Sequence, residues 1–191
     1  MLSKKPFFYI NIIAICVLFQ MSLTANENTN ADRNLVYAAE TGDVALVIVA
    51  LKDNADVNAT NLNGTSVLMT AAAKGYVKIV DILLHEGADS NLKNKQDRTA
   101  LYASSLLGYT DIVKLLLNHG ANVDTYSSDG LMTPLMAAAA NNRLEISKIL
   151  LNKGADITLK NKRGENVFDI VSKRYEPTDD IYSLLEKIKD Q

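Results

Sequence analysis

The segment HEGADSNLKN, from His85 to Asn94, is echoed 33 positions later by NHGANVDTYS, from Asn118 to Ser127. The echo continues in both directions. Asn54-Ala55-Asp56, Gly87-Ala88-Asp89, Gly120-Ala121-Asn122 and Gly154-Ala155-Asp156 start at intervals of 33, 33 and 34. Leu35, Leu68, Leu101, Leu135 and Phe168 keep the same rhythm, as do Gly42, Gly75, Gly108 and Asn142. Three landmarks in one phase define a repeat array, in which like units stack side by side.

One unit can be read physically from Asn63 to Asn91. Asn63-Gly64 is a turn signal. Ser66 is placed to cap a helix running through Leu68, Ala71 and Ala72, and Gly75 ends it, because glycine accepts the left-handed backbone without a Cβ clash. Val77, Val80, Leu83 and Leu84 follow at helical spacing, and Gly87 closes that second helix. The unit is turn, short helix, loop, longer helix, turn. Its first helix carries small residues, Ala71 to Ala73, Ser104 and Ser105, and Ala137 to Ala140. Small side chains let neighbouring helices approach closely, while the second helix supplies the larger aliphatics.

These segments, NGTSVLMTAAAKGYVKIVDILLHEGAD, DRTALYASSLLGYTDIVKLLLNHGANVD and MTPLMAAAANNRLEISKILLNKGADI, resemble ankyrin repeats. The resemblance implies an all-α ankyrin-repeat solenoid of about five stacked helix-turn-helix units, the outer two acting as caps. The family's Thr-Pro-Leu position reads Ser66-Val67-Leu68, Thr99-Ala100-Leu101 and Thr133-Pro134-Leu135. The histidine usual after that leucine is replaced by Met69, Tyr102 and Met136. An extra residue near Gly130-Leu131 accounts for the single interval of 34. The first unit, from about Asn34, has Asn54 in the glycine place. The last begins at Arg163-Gly164 and departs from the pattern after Val171, with Pro177 expected to stop its first helix and Ile181, Leu184, Leu185 and Ile188 striping a closing one.

The N-terminus is a separate object. Lys4 and Lys5 precede an apolar stretch from Phe7 to Phe19, with no acid before Glu27. A basic head, a short greasy middle and a small-residue exit at Ala25 predict a signal peptide over 1–25; the alternative is an uncleaved anchor. Residues 26–33 are polar and expected to be flexible, and 34–191 form the repeat domain. Cys16, the only cysteine, belongs to the apolar stretch rather than to a lipoprotein site. Cleavage would leave no thiol for a disulfide, a nucleophile or a metal. It would also take the formal charge from −2 to −4 by removing two lysines and no acid.

A search for chemistry finds no catalytic constellation, cofactor motif or metal set. No phosphate-binding loop, serine elbow or zinc motif is present. His85 and His119 each sit just before a helix-ending glycine, where a donor offsets the helix dipole, and fall in different units without the short spacing of a metal pair. Asp43, Asp81 and Asp111 read as solvated faces of outer helices rather than an acid/base pair. Net acidity argues against nucleic acid.

The expected function is therefore a surface that binds a protein partner, with no enzyme activity, no cofactor, no membrane contact after cleavage, and a monomeric array. In ankyrin proteins partners meet the turn tips and the exposed positions of the first helix. The matching positions here, implied by the resemblance, are Lys74 in unit two; Lys95, Arg98 and Leu106 in unit three; Tyr126 between units three and four; Met132 and Asn141 in unit four; and Lys162 and Arg163 in unit five. Leu62, Ala140 and Asp129 hold equivalent places, whereas Leu107 is expected to pack between helices. The basic head points to a bacterial-type exported protein, with the periplasm as the expected compartment. A secreted effector acting on a host protein, or a companion of a periplasmic enzyme, are the alternatives.

Overall fold

The computed structural model describes residues 30–128, 130–176 and 178–189. Among them are ten helices, paired into five units. They are α1 (30–41) with α2 (Val44–Lys52), α3 (Val67–Lys74) with α4 (Val77–His85), α5 (Ala100–Leu107) with α6 (Thr110–Asn118), α7 (Pro134–Ala140) with α8 (Leu144–Asn152), and α9 (Val167–Ser172) with α10 (Asp180–Lys189). The first helices stack on one another, α3 on α5, α5 on α7 and α7 on α9, and form an inner layer. The second helices form the outer layer, from α2 through α4, α6 and α8 to α10.

Each inner helix starts because a short polar side chain caps it. Ser66, Thr99 and Thr133 accept from the amides of Met69, Tyr102 and Met136 at 3.1–3.2 Å. Asn166 opens α9 with a reciprocal capping box to Asp169. Ala71, Ala72, Ser104, Ser105, Ala138 and Ala139 are wholly buried where the inner helices meet. The outer helices contribute Ile79, Leu83, Ile112, Leu116, Ile146 and Leu150, which are equally sealed. Leu35, Leu68, Leu101 and Leu135 form a buried column along the array.

The ends close differently. Ala31, Leu35, Ala38 and Ala39 turn the buried face of α1 inward. At the other end, Ile181 and Leu185 of α10 are fully buried, while Arg174 and Tyr175 both donate to the carbonyl of Ala140, at 3.1 and 3.0 Å, finishing α7.

The structure revises three expectations. Residues 30–33, expected in a flexible lead, are the first turn of α1, and Asp32 there accepts from the Asp56 amide at 2.7 Å. Val80, Leu83 and Leu84 are buried as expected, but Val77 is exposed and Ile79 takes its core position. Helix α9 ends at Ser172, well before Pro177, which lies outside the described residues. The segment 1–25, expected to be a signal peptide, also lies outside them.

Candidate functional site

The Gly-Ala-acid/amide turns carry a ladder of side-chain hydrogen bonds along the array. Asn58, Asn91 and Asp124 each reach into the next unit and accept from the amide of its turn residue, Asp89, Asn122 and Asp156, at 2.8–3.0 Å, while Asp32 at the start of α1 accepts from the Asp56 amide of its own unit at 2.7 Å. Each turn residue then accepts from the amide two positions on, at Asn58, Asn91, Asp124 and Thr158. This alternation explains why the turn needs an acid or amide: only a short side-chain acceptor can bond its own backbone two residues ahead. The Thr158 hydroxyl adds a second bond to Asp156 and is the main reason its carboxyl titrates below the usual aspartate range.

A second set of turns forms the tips. Asn61, Asn94 and Asn161 each accept from two amides of their own loop, so the three tips share one conformation. The loop closes over four residues in those tips but over five at Ser127–Met132. There Leu131, at a left-handed φ of 49°, holds the place that Gly64, Asp97 and Gly164 hold in the other tips, so the extra residue comes before it. Successive tips are joined through the backbone, Lys95 to Asn63 at 3.3 Å, Ser128 to Gln96 at 2.9 Å and Lys162 to Gly130 at 3.0 Å. The tips form one hydrogen-bonded edge.

On this frame the expected binding residues divide. Lys74, Lys95, Asn141, Lys162 and Arg163 are exposed. Arg98 is half-buried, with its guanidinium 5.8 Å from the centre of the Tyr102 ring. Tyr126 is half-buried between two buried neighbours, Thr125 and Ser127. Met132 packs partly into the core. Leu106 and Leu107 exchange places relative to expectation: Leu106 is partly buried and Leu107 is 44% exposed. Ala140 is buried, and Asp129 lies outside the described residues. Two exposed apolar groups belong to the first tip and its helix. Leu62 is 95% exposed and Tyr37, which the repeat register did not single out, is 59% exposed.

Units four and five enclose a cleft of about 630 Å³. Met132 and Ile170 supply apolar walls, and Lys162, Arg163, Lys173 and Arg174 supply cations. Glu165, the one carboxylate of the lining among the described residues, accepts from Asn161 at 2.9 Å and pairs with Lys173 at 2.6 Å. Those two bonds, in that order, hold its carboxyl below the ordinary glutamate value. Lys162 donates to the carbonyl of Ser128, which ties the fifth tip to the fourth. Lys173 and Arg174 were not among the expected residues, because the last unit departs from the repeat pattern just before them.

The two histidines meet edge to face, with ring centres 5.3 Å apart, although the sequence separates them by a whole unit. His85 Nδ1 lies 2.8 Å from the carbonyl of Asp81 and 3.3 Å from its carboxylate. Among the described residues no group of three or more histidine, cysteine or acidic side chains is placed to hold a metal. Among the same residues, no helix is long and apolar enough to cross a membrane.

A family model for ankyrin repeats (3 copies) matches residues 13–94 and 86–161. The first match begins inside the segment read as a signal peptide. A rat protein, ankyrin repeat and SAM domain-containing protein 6 (Rattus norvegicus), is 41% identical over 56 residues, 29% of this chain. The chain covers 6% of that relative's length. With ten stacked helices in five capped pairs and a family model spanning most of the chain, the protein belongs to the ankyrin repeat family.

Proposed function

We propose that the chain is a non-catalytic protein-binding module that works after export, in the periplasm, and holds its partner along the tip edge and the adjoining ends of the inner helices. The observation that carries this reading is the tip edge itself. Three backbone bonds between successive tips fix Leu62, Lys95, Lys162 and Arg163 relative to one another before any partner arrives. A backbone ordered in advance loses little freedom on binding, so the entropy cost that remains is that of the exposed side chains themselves. Ankyrin repeats as a family serve protein–protein interaction, which agrees with an exposed, ordered edge.

The basic head and short apolar stretch of residues 1–25 support export. The test is affinity capture from a periplasmic extract, with fractionation of the cells that make the protein. A specific partner retained by the wild type and lost when Lys95 and Arg163 are reversed in charge supports the reading. Recovery of the protein in host cytosol would favour an effector instead, and N-terminal sequencing that finds Met1 retained would favour an anchor.

A further inference from the structure

We propose that the cleft between the last two tips docks an acidic segment of the partner, with carboxylates on Arg163 and Lys173 and an apolar side chain against Met132 and Ile170. The proposal rests on the reading of the chain as a protein-binding module.

Charge is the first argument. Among the described residues four cations line the cleft against the single carboxylate of Glu165, an excess of three positive charges, on a chain whose formal charge is −2. Such a local reversal of sign favours an anionic ligand and steers it from a distance. The second argument is how those cations are held. Lys162 and Arg174 donate to the carbonyls of Ser128 and Ala140, which fixes them without neutralising them. Lys173 faces Glu165 but keeps its side chain 65% exposed. It can turn to an incoming carboxylate while Asn161 continues to hold Glu165. Arg163 is exposed on the rim, where its planar fork fits a carboxylate bidentately.

The walls select among anions. Met132 and Ile170 offer an apolar, adaptable surface, and among the described residues no aromatic ring lines the cleft to stack a base. A polyanion would also meet the acidity of the chain as a whole, whereas a short acidic segment presents its charge only locally. A volume near 630 Å³ lies within the roughly 300–1,000 Å³ of ordinary ligand pockets, room for a few side chains rather than a folded domain.

The test is a titration of the purified, isotope-labelled protein, followed by amide chemical shifts. Three probes are used at low salt: a short peptide of alternating glutamate and leucine, its glutamine counterpart, and a short oligothymidylate. The acidic peptide is expected to shift the amides of Asn161, Arg163 and Lys173 and to bind about tenfold more weakly to an Arg163→Gln, Lys173→Gln double variant. Lys114→Gln, on the outer helix α6 away from the tips, should leave its affinity unchanged. Because Lys173 also holds Glu165, the single variant Arg163→Glu is measured alongside, with a thermal melt as a control for folding. Equal binding of the glutamine peptide, shifts confined to the Tyr37 end, or tighter binding of the oligonucleotide would overturn the proposal. A partner captured through Lys95 but indifferent to Arg163 and Lys173 would overturn it while leaving the binding-module reading in place.

Discussion

Tyr109 lies across Gly75: a Cβ added to that glycine would come within 2.6 Å of the Tyr109 ring. The relationship recurs one unit earlier, where Tyr76 covers Gly42 at 2.8 Å, and one unit later, where the Arg143 guanidinium covers Gly108 at 2.9 Å. Each of these glycines also has a left-handed φ, between 79° and 95°. The glycine series therefore has two causes, backbone handedness and the residue that opens the next outer helix. Asn142 holds the fourth place at φ 53°, a conformation asparagine tolerates.

Gly75→Ala and Gly120→Ala should accordingly differ. Both positions are left-handed, at 79° and 80°, but Gly120 has open space around its missing Cβ. Gly120→Ala is expected to cost about 1–2 kcal/mol from backbone strain. Gly75→Ala should cost more, since the Tyr109 ring it would meet is packed against the core and has to shift. Urea melts measure both. Adding Tyr109→Ala should recover part of the loss at Gly75 and none at Gly120.

Asn91 links two units twice over, accepting from the Asn122 amide at 2.8 Å and donating to the Gly120 carbonyl at 3.1 Å. Asn91→Ala removes both bonds and is expected to cost about 1–2 kcal/mol. Hydrogen exchange at the Asn122 amide should quicken before the core amides of α6 do. Unchanged exchange there would mean that the ladder follows from the stacking and adds nothing to it.

Ser147 sits in the register of Val80 and Val113 but brings a hydroxyl, wholly buried and without a hydrogen-bond partner among the described residues. Ser147→Ala removes that unpaired group and improves helix propensity. The melt should move upward by about 1 kcal/mol. A loss of stability would show that the hydroxyl is bonded in solution.

Acid should loosen the last unit. Glu165 is held below its ordinary value of 4.5 in the folded protein, so folding favours its ionised form. The stability it contributes is complete above that value and is lost as pH falls through the lower, folded one. From neutrality to about pH 5 the Glu165 contribution should stay flat, and the decline should follow below. Glu165→Gln is expected to reduce the slope of stability against pH in that acid range, read from melts at a series of pH values. An unaltered slope would remove Glu165 from the account of acid sensitivity.

Fold and site differ in how much of each the sequence discloses. Periodicity exposes the array because every unit repeats the same local solutions: Ser66, Thr99 and Thr133 as caps, Gly42, Gly75 and Gly108 as stops. The same register held the answer for Leu107, which shares its phase with Lys74 and Asn141 and is exposed as they are. Lys173 and Arg174 were beyond the reach of register, because α9 is cut short and the chain turns back over α7 in a way no earlier unit does. Tyr37 is another case. Its equivalents, Thr70 and Ala103, are half-buried and unremarkable, so nothing repeated draws attention to an exposed aromatic in the first unit. Repetition reports what the units have in common, and the candidate site is built from where they differ.

The central claim is that a protein partner is held on the tip edge. Cross-linking with an amine-reactive reagent in a periplasmic extract, read by mass spectrometry, tests it most directly, because exposed lysines mark both sides of the array. Lys74, Lys95 and Lys162 report the tips and inner-helix ends; Lys78, Lys114 and Lys148 report the outer helices. The account predicts partner cross-links at the first three. Cross-links confined to the outer-helix lysines would contradict it.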